Sequence, residues 1–375
     1  MIGSTIPNSF MLCFSFSYIS GVICLGLNKC LLNWAVVLIV AITCVSCAKD
    51  RNTDDVPEEA AKVVNVIVDT DLGGSADDLL ALMMLYRYAD VGKVSLMGVV
   101  VDRPGADYYA IADVLNTYYG YPDVPVGVVR GDYQEPLKYV DYCGMFAGTD
   151  KNVHIQFPRT KTNASELPDG CKLYRRLLAG ADDGSVTIIS IGFVLCLDEL
   201  LNSQADELSP LSGVELVSRK VREMYIMGGS FEGTGEAEYN FSTFPEQCYD
   251  FLTRWPENVP VTYSPAEVGD CVDYPARQLL DDLAAEIDNP IKLTYQYFDC
   301  DNGQRMWDPM TVINAIEGDS MFTLSPWGKV IAGRDCVTTF SESAGGHQRY
   351  QMVPANESEW GSGMVEVIRR LNMRR

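Results

Sequence analysis

Residues 63–70 read VVNVIVDT, a run of β-branched apolar residues that turns polar only at its end. It does not alternate, so burial on both faces is expected, as for a strand inside a parallel sheet. The next stretch, 77–89 (DDLLALMMLYRYA), reads as a helix that opens on two acids. Acids in a first turn complement the positive end of a helix. The alternation continues, with strands expected at 93–101, 124–129, 185–191, 222–227 and 259–263. Helices are expected at 106–119, 194–202, 245–253, 276–287 and around 312–316. Such repetition predicts an α/β fold, a mainly parallel Rossmann-like sheet flanked by helices, in a single domain over 63–375. Residues 131–183 are rich in turn formers and read as a long loop or insertion, and 345–350 as a surface turn.

Ahead of this body the composition changes. The first 46 residues hold one charged side chain, Lys29, followed by an apolar run over 31–45 and then Ser46 and Cys47. Basic, apolar, small is the order of an export signal. A small residue followed by Cys resembles the end of a bacterial lipoprotein signal. Residues 1–46 are therefore expected to be a signal peptide and Cys47 the lipid-bearing residue. The body would be exported and held at the bacterial cell envelope, touching membrane only through its lipid. Cys44 stands where such signals usually carry a branched aliphatic residue, and plain secretion or an uncleaved anchor are the alternatives. Residues 47–62 are polar and acidic and read as a tether.

Charge narrows the chemistry. With 51 Asp and Glu against 29 Lys and Arg the net charge is −22, which argues against a nucleic-acid partner and leaves room for a cation. Two histidines, His154 and His347, exclude a His-rich zinc or copper site. A hydrophobic share of 47% excludes a disordered chain. The cysteines after Cys47 form no CxxC pair, so they give no metal framework and read as scattered apolar residues, with one or two disulfides left open.

In open α/β sheets, ligands gather outside the carboxyl ends of the strands. The first strand ends in Asp69-Thr70-Asp71, and after Leu72-Gly73-Gly74-Ser75-Ala76 come Asp77-Asp78. Packing these acids together unpaired is costly. A hard divalent cation resolves the cost, since calcium takes roughly six to eight oxygen ligands. The glycines permit the reversal that folds Asp77-Asp78 back toward Asp71. Adjacent helical residues point about 100° apart, so one of the pair is expected at the metal and the other at a neighbouring group. A capped helix behind a solvated acidic loop is the plainer alternative.

The order of motifs over about 63–320 resembles the inosine–uridine nucleoside hydrolase family. That family opens with a strand into Asp-Thr-Asp, then glycine, then Asp-Asp, here VIVDTDLGGSADDLLAL. A strand ending in Thr-Gly follows, here TIISIG with Ile191 at the Thr position. Next come Met227-Gly228-Gly229 with Ala237-Glu238-Tyr239-Asn240, then Pro260-Val261-Thr262, and a late His-Asp pair that appears as Trp307-Asp308. The resemblance implies calcium held by Asp71, Asp78, Asp308 and the carbonyl of Ile191, with the sugar's 2′ and 3′ hydroxyls completing the shell. It implies Asp71 as the catalytic base for water, and Asp77, Glu238 and Asn240 as hands on the ribose. It further implies a nucleoside substrate, a place in purine or pyrimidine salvage, and a homo-oligomer, which the family often forms.

Three departures accompany it. Asp71 to Asp77 spans two residues more than usual, so the loop must bulge or the helix must start differently. The usual Asn after the second strand is absent, and Asp102 is either its replacement as a substrate-binding partner or part of a turn. Trp307 replaces a His that often protonates a purine leaving group; it can stack on a base or fill the core, but donates no catalytic proton. The family's base preference therefore does not transfer. Two other readings compete. One is a non-catalytic nucleoside- or sugar-binding protein of the same fold. The other is a phosphatase using Asp69 and Asp71 as nucleophile and acid.

Overall fold

The computed structural model describes residues 63–372 apart from 137–140, 152–154, 234 and 299–303. The expected signal, tether and lipid-bearing Cys47, with His154 and Cys300, lie outside the described residues.

The apolar run after residue 62 is β1 (Val64–Thr70). It pairs in parallel with β2 (Val94–Val101) on one side and, across the sheet, with a later strand, β4 (Val186–Ile191). β3 (Val126–Val128) lies beyond β2, while β5 (Val221–Met227) and β6 (Val261–Ser264) continue beyond β4, all in parallel. Successive residues of β1 serve opposite cores, with Val66 and Val68 in one and Ile67 in the other. Both faces are thus covered, which explains why the run does not alternate. The first face is packed by helices Asp77–Asp90, Tyr109–Tyr118, Trp307–Glu317 and Glu357–Asn372. The second is packed by Gly170–Gly180, Leu195–Asn202 and Pro245–Arg254.

The structure extends the expected sheet. A short pair, β7 (Asp273–Tyr274) and β8 (Gln304–Arg305), stands apart from it. Then β9 (Thr323–Leu324), β10 (Gly328–Ala332), β11 (Thr338–Glu342) and β12 (Gln348–Met352) add an edge in which β12 runs parallel to β6 and the rest are antiparallel. The turn expected over 345–350 is therefore partly strand. The stretch 131–183 is not irregular throughout, because it contains helices Cys143–Ala147 and Gly170–Gly180. The second is capped by Asp169, whose side chain accepts from the Lys172 amide at 3.3 Å. Helices Gly213–Lys220, Pro290–Tyr297 and Glu357–Asn372 are likewise additions. The helix expected over 276–287 ends at Asp282. Six cysteines are free, and no disulfide forms among the described residues. No described helix is long and apolar enough to cross a membrane.

Candidate active site

The ends of β1 and β5 and the first turns of helices Asp77–Asp90 and Trp307–Glu317 meet at a cavity of about 570 Å³. Its shape begins with the loop after Asp71. The chain reverses at Gly73, whose φ of 119° belongs to the left-handed region and whose missing side chain leaves room for the Tyr108 ring. The longer Asp71–Asp77 spacing is absorbed here, and the helix starts at Asp77 with both acids buried in its first turn.

Three hydrogen bonds aim the acids. Thr70 Oγ1 donates to Asp78 Oδ1 at 2.6 Å, the Ser75 hydroxyl donates to Asp77 Oδ1, and the Asp308 amide donates to Asp77 Oδ2 at 3.1 Å. As a result Asp77, Asp78 and Asp308 each bring one carboxylate oxygen within 4.8 Å of the others. The expected parting of Asp77 from Asp78 does not occur. Their helical rotation is offset because Thr70 pulls one carboxylate and the Asp308 backbone pulls the other. Asp71 lines the same cavity but is not in this tightest trio.

The electrostatics are those of a site missing positive charge. Asp77, Asp78 and Asp308 are 0, 2 and 4% exposed, and burial holds all three carboxyls above their ordinary range. Neighbouring acids raise Asp78 and Asp308 further. Burial pushes Asp71 up to about 8 against the pull of Arg103. Arg103 is already committed, bonded to Glu135 through Nε at 3.0 Å and to the Asp71 carbonyl through Nη1 at 2.9 Å. No Lys, Arg or His is among the described residues lining the cavity. A buried, all-oxygen donor set of this kind fits a hard divalent cation.

On the facing wall, Glu238 caps the short helix Tyr239–Thr243. Its carboxylate accepts backbone N–H groups of Asn240 at 2.9 Å and of Phe241 and Gly229 at 3.3 Å. Burial still outweighs these bonds and lifts it to about 7. Asn240 sits beside it in the lining, its amide nitrogen directed to the Met227 sulfur at 3.2 Å, a weak acceptor. Trp307 also lines the cavity, with its Nε1 donating to Asp270 Oδ1 at 3.1 Å.

The remaining expected residues stand behind the wall. The register of β1 and β4 sets Ile191 beside Thr70. Asp102 is fully buried and does not line the cavity; it lies against Gly192, next to Asp69. Its place is under the strand ends, beside Asp69 and Gly192. Asp69 is also fully buried and accepts the Tyr174 hydroxyl at 3.0 Å. It cannot reach a phosphate in the cavity, which removes the phosphatase reading. Sequence reasoning missed Arg103, Glu135, Tyr142 and Asp270, since their partners lie far along the chain and no local pattern marks them.

Gly192 belongs to the same region. A Cβ there would come 2.5 Å from Asp102 Oδ1 and 2.7 Å from the Asp71 amide. Gly192→Ala should therefore cost about 1–3 kcal/mol by overpacking. It should also lower kcat more than KM, because Asp71 is what moves. Wild-type kinetics and wild-type denaturation together would contradict this placement of Asp71.

The sequence matches the family described as inosine-uridine preferring nucleoside hydrolase over residues 66–375. The chain belongs to that family. Nucleoside hydrolases are N-ribosyl hydrolases, and the fold agrees with this class. A plant nucleoside hydrolase superposes with a TM-score of 0.62 at 17% identity, covering 84% of this chain and 100% of that one. The purine-preferring ribonucleoside hydrolase from Gardnerella vaginalis gives 0.62 at 14% identity, over 82% and 99% of the two chains. The inosine-uridine preferring nucleoside hydrolase from Bacillus anthracis gives 0.55 at 15% identity, over 83% and 99%. At these identities the superpositions speak for the nucleoside hydrolase fold alone. No curated protein matches the chain in sequence.

Proposed function

We propose that this nucleoside hydrolase family member cleaves the N-glycosidic bond of ribonucleosides, releasing nucleobase and ribose, with calcium as its ion. The observation that carries the reading is the buried convergence of Asp77, Asp78 and Asp308 at a cavity of nucleoside size whose lining includes Asp77 and Asp308. Asp78 and Asp308, with Asp71 and the Ile191 carbonyl, would hold the ion. Asp77 stands close enough to share that role or to take a ribose hydroxyl. A hard divalent ion bound there supplies positive charge that makes water more acidic and orients vicinal sugar hydroxyls.

The chain's own residues supply the rest. Asp71 lines the cavity and, with a carboxyl raised toward neutrality, suits the removal of a proton from attacking water. Breaking the bond leaves the sugar with oxocarbenium character, and the surrounding carboxylates stabilise that charge in a dry site. Glu238 is fixed by three backbone donors and can accept from a sugar hydroxyl, while the Asn240 amide can donate to one. Trp307 cannot protonate a leaving base, so departure of the base relies on stabilising the sugar cation.

The test is ribose release from a panel of nucleosides with calcium and with chelator. Binding without release would favour the non-catalytic alternative. Asn240→Ala should raise KM by about tenfold, the loss of a hydrogen bond to the sugar, while calcium affinity stays unchanged. An unaltered KM would remove Asn240 from the ribose contacts. The envelope location belongs to the same proposal and is supported by the order of Lys29, the apolar run over 31–45 and Cys47. Incorporation of labelled fatty acid that is lost in Cys47→Ser would test it.

A further inference from the structure

Helix Pro245–Arg254 follows the short helix Tyr239–Thr243 with only Phe244 between them. The turn between β10 and β11 docks on it. The Arg334 guanidinium lies 4.9 Å from the centre of the Tyr249 ring, and Cys336 Sγ donates to the Pro245 carbonyl at 3.1 Å. Cys248, three residues after Pro245 on that helix, donates its thiol to the Cys336 sulfur. Both cysteines are fully buried, whereas Gly333, Arg334 and Asp335 at the tip of the turn are exposed. Cys336 has a φ of 59°, in the left-handed region. Glycine or asparagine would hold that turn position with less strain. The turn alone therefore does not call for a cysteine; what this residue adds is a sulfur set against a second sulfur.

We infer that Cys248 and Cys336 are joined as a disulfide in the exported protein, and that this bond braces the cavity wall bearing Glu238 and Asn240. The inference rests on the envelope location proposed above, because disulfides persist in oxidising compartments. The bond forms by exchange. The Cys336 thiolate attacks the disulfide of a thiol oxidoreductase or of oxidised glutathione, and the Cys248 thiolate then displaces the mixed disulfide. Two protons leave, the new S–S bond forms, and the oxidant's disulfide is reduced to two thiols. Cys336 suits the first attack, since the Cys248 thiol and the Tyr249 amide hold its thiol below the ordinary range, while burial pushes Cys248 up. The exposed tip gives the oxidant access when the turn opens. The brace follows from what each cysteine adjoins. Two residues beyond Cys336, Thr338 Oγ1 donates to the Ser230 carbonyl at 3.2 Å and accepts the Ser230 amide at 3.1 Å. Ser230 follows Gly229, whose amide donates to Glu238 at 3.3 Å. The turn thus holds the start of the 229–240 segment and the helix holds its end, and the S–S bond would join the two holds covalently.

Peptide mapping of the unreduced full-length protein from the envelope fraction, with free thiols blocked by iodoacetamide after unfolding, tests the assignment. Residues 248 and 336 should appear in one linked peptide, with Cys143, Cys171, Cys196 and Cys271 alkylated. Reduction should lower the melting temperature by about 5 °C, because the cross-link restricts the unfolded chain. It should also speed amide hydrogen exchange at Gly229 and Asn240, the donors to Glu238, by about tenfold. Cys248→Ser should melt where the reduced wild type does and show no response to reductant. Alkylation of both thiols in the unreduced protein would overturn the inference, and so would a linked peptide whose reduction leaves exchange at Gly229 and Asn240 unchanged. Should fractionation place the protein in the cytoplasm, the location is what fails. The purified protein in a glutathione buffer of oxidising-compartment poise then decides the pair: the linked peptide upholds it, and two free thiols reject it.

Discussion

Asp308→Ala is expected to raise the melting temperature of the metal-free protein and to erase the further rise that calcium gives the wild type. Without an ion, Asp77, Asp78 and Asp308 press like groups together out of water. Each is penalised by burial and, for Asp78 and Asp308, by its neighbours. Removing one relieves that cost. The backbone amide that holds Asp77 is untouched by the change, so the rest of the cluster keeps its place. An ion that binds only the folded wild type adds stability by mass action, about 2.7 kcal/mol at a hundred times its Kd. For a domain of this size that is a shift of roughly 4 °C. Ribose release should fall by more than the ~10–100-fold seen when only a metal's outer partners are disturbed. Differential scanning fluorimetry with and without calcium reads all but the last. A variant that loses stability without metal and still gains it with calcium would place the ion elsewhere.

The second large effect is expected at Arg103. Its side chain and that of Glu135 are 3 and 1% exposed. The guanidinium lies between the rings of Tyr108 and Phe193, 5.4 and 5.6 Å from their centroids. It ties the Asp71 carbonyl to Glu135. Truncating one partner of a buried ion pair strands the other, and Arg103→Ala should cost about 3–5 kcal/mol. Urea midpoints would show it. The double variant Arg103→Ala with Glu135→Gln should recover part of the loss, because the stranded charge is gone. Additive losses in the two changes would mean that packing between the rings, not charge, is what Arg103 provides.

Much of the parallel half of the fold is legible in the sequence because burial on both faces leaves unbroken apolar runs. β1, β2, β4 and β5 read directly, each to within a residue or so at its ends. The edge is less visible. β10 alternates buried and exposed positions, but a glycine takes one buried place and Ile331 an exposed one, β11 shows no clean period, and β12 is mostly half-buried, so the strand pattern does not stand out in the residue types. Helix Gly170–Gly180 hides among turn residues, although Leu173, Tyr174 and Leu178 recur on one face and Asp169 precedes them as a cap. In the site, the Asp69–Asp78 run is conspicuous because so many acids in one loop need a physical reason. Residues 237–240 and 307–308 become meaningful only as members of the family's ordered motifs. Whether Asp77 and Asp78 part or converge depends on Thr70 and on an amide 231 positions away, which local spacing does not contain. Which way the strand-end acid Asp102 points is not written in its neighbours, and it lies beside Gly192 rather than in the cavity lining.

That remote amide has a kinetic meaning. The Asp77 carboxylate is oriented by a residue from the last third of the chain, so the carboxylate trio cannot exist until contacts between widely separated parts of the polypeptide have formed. Such contacts are slow to close. Calcium should consequently leave the refolding rate constant nearly untouched and slow unfolding instead, making the ion a latch on the finished molecule rather than a seed for its assembly.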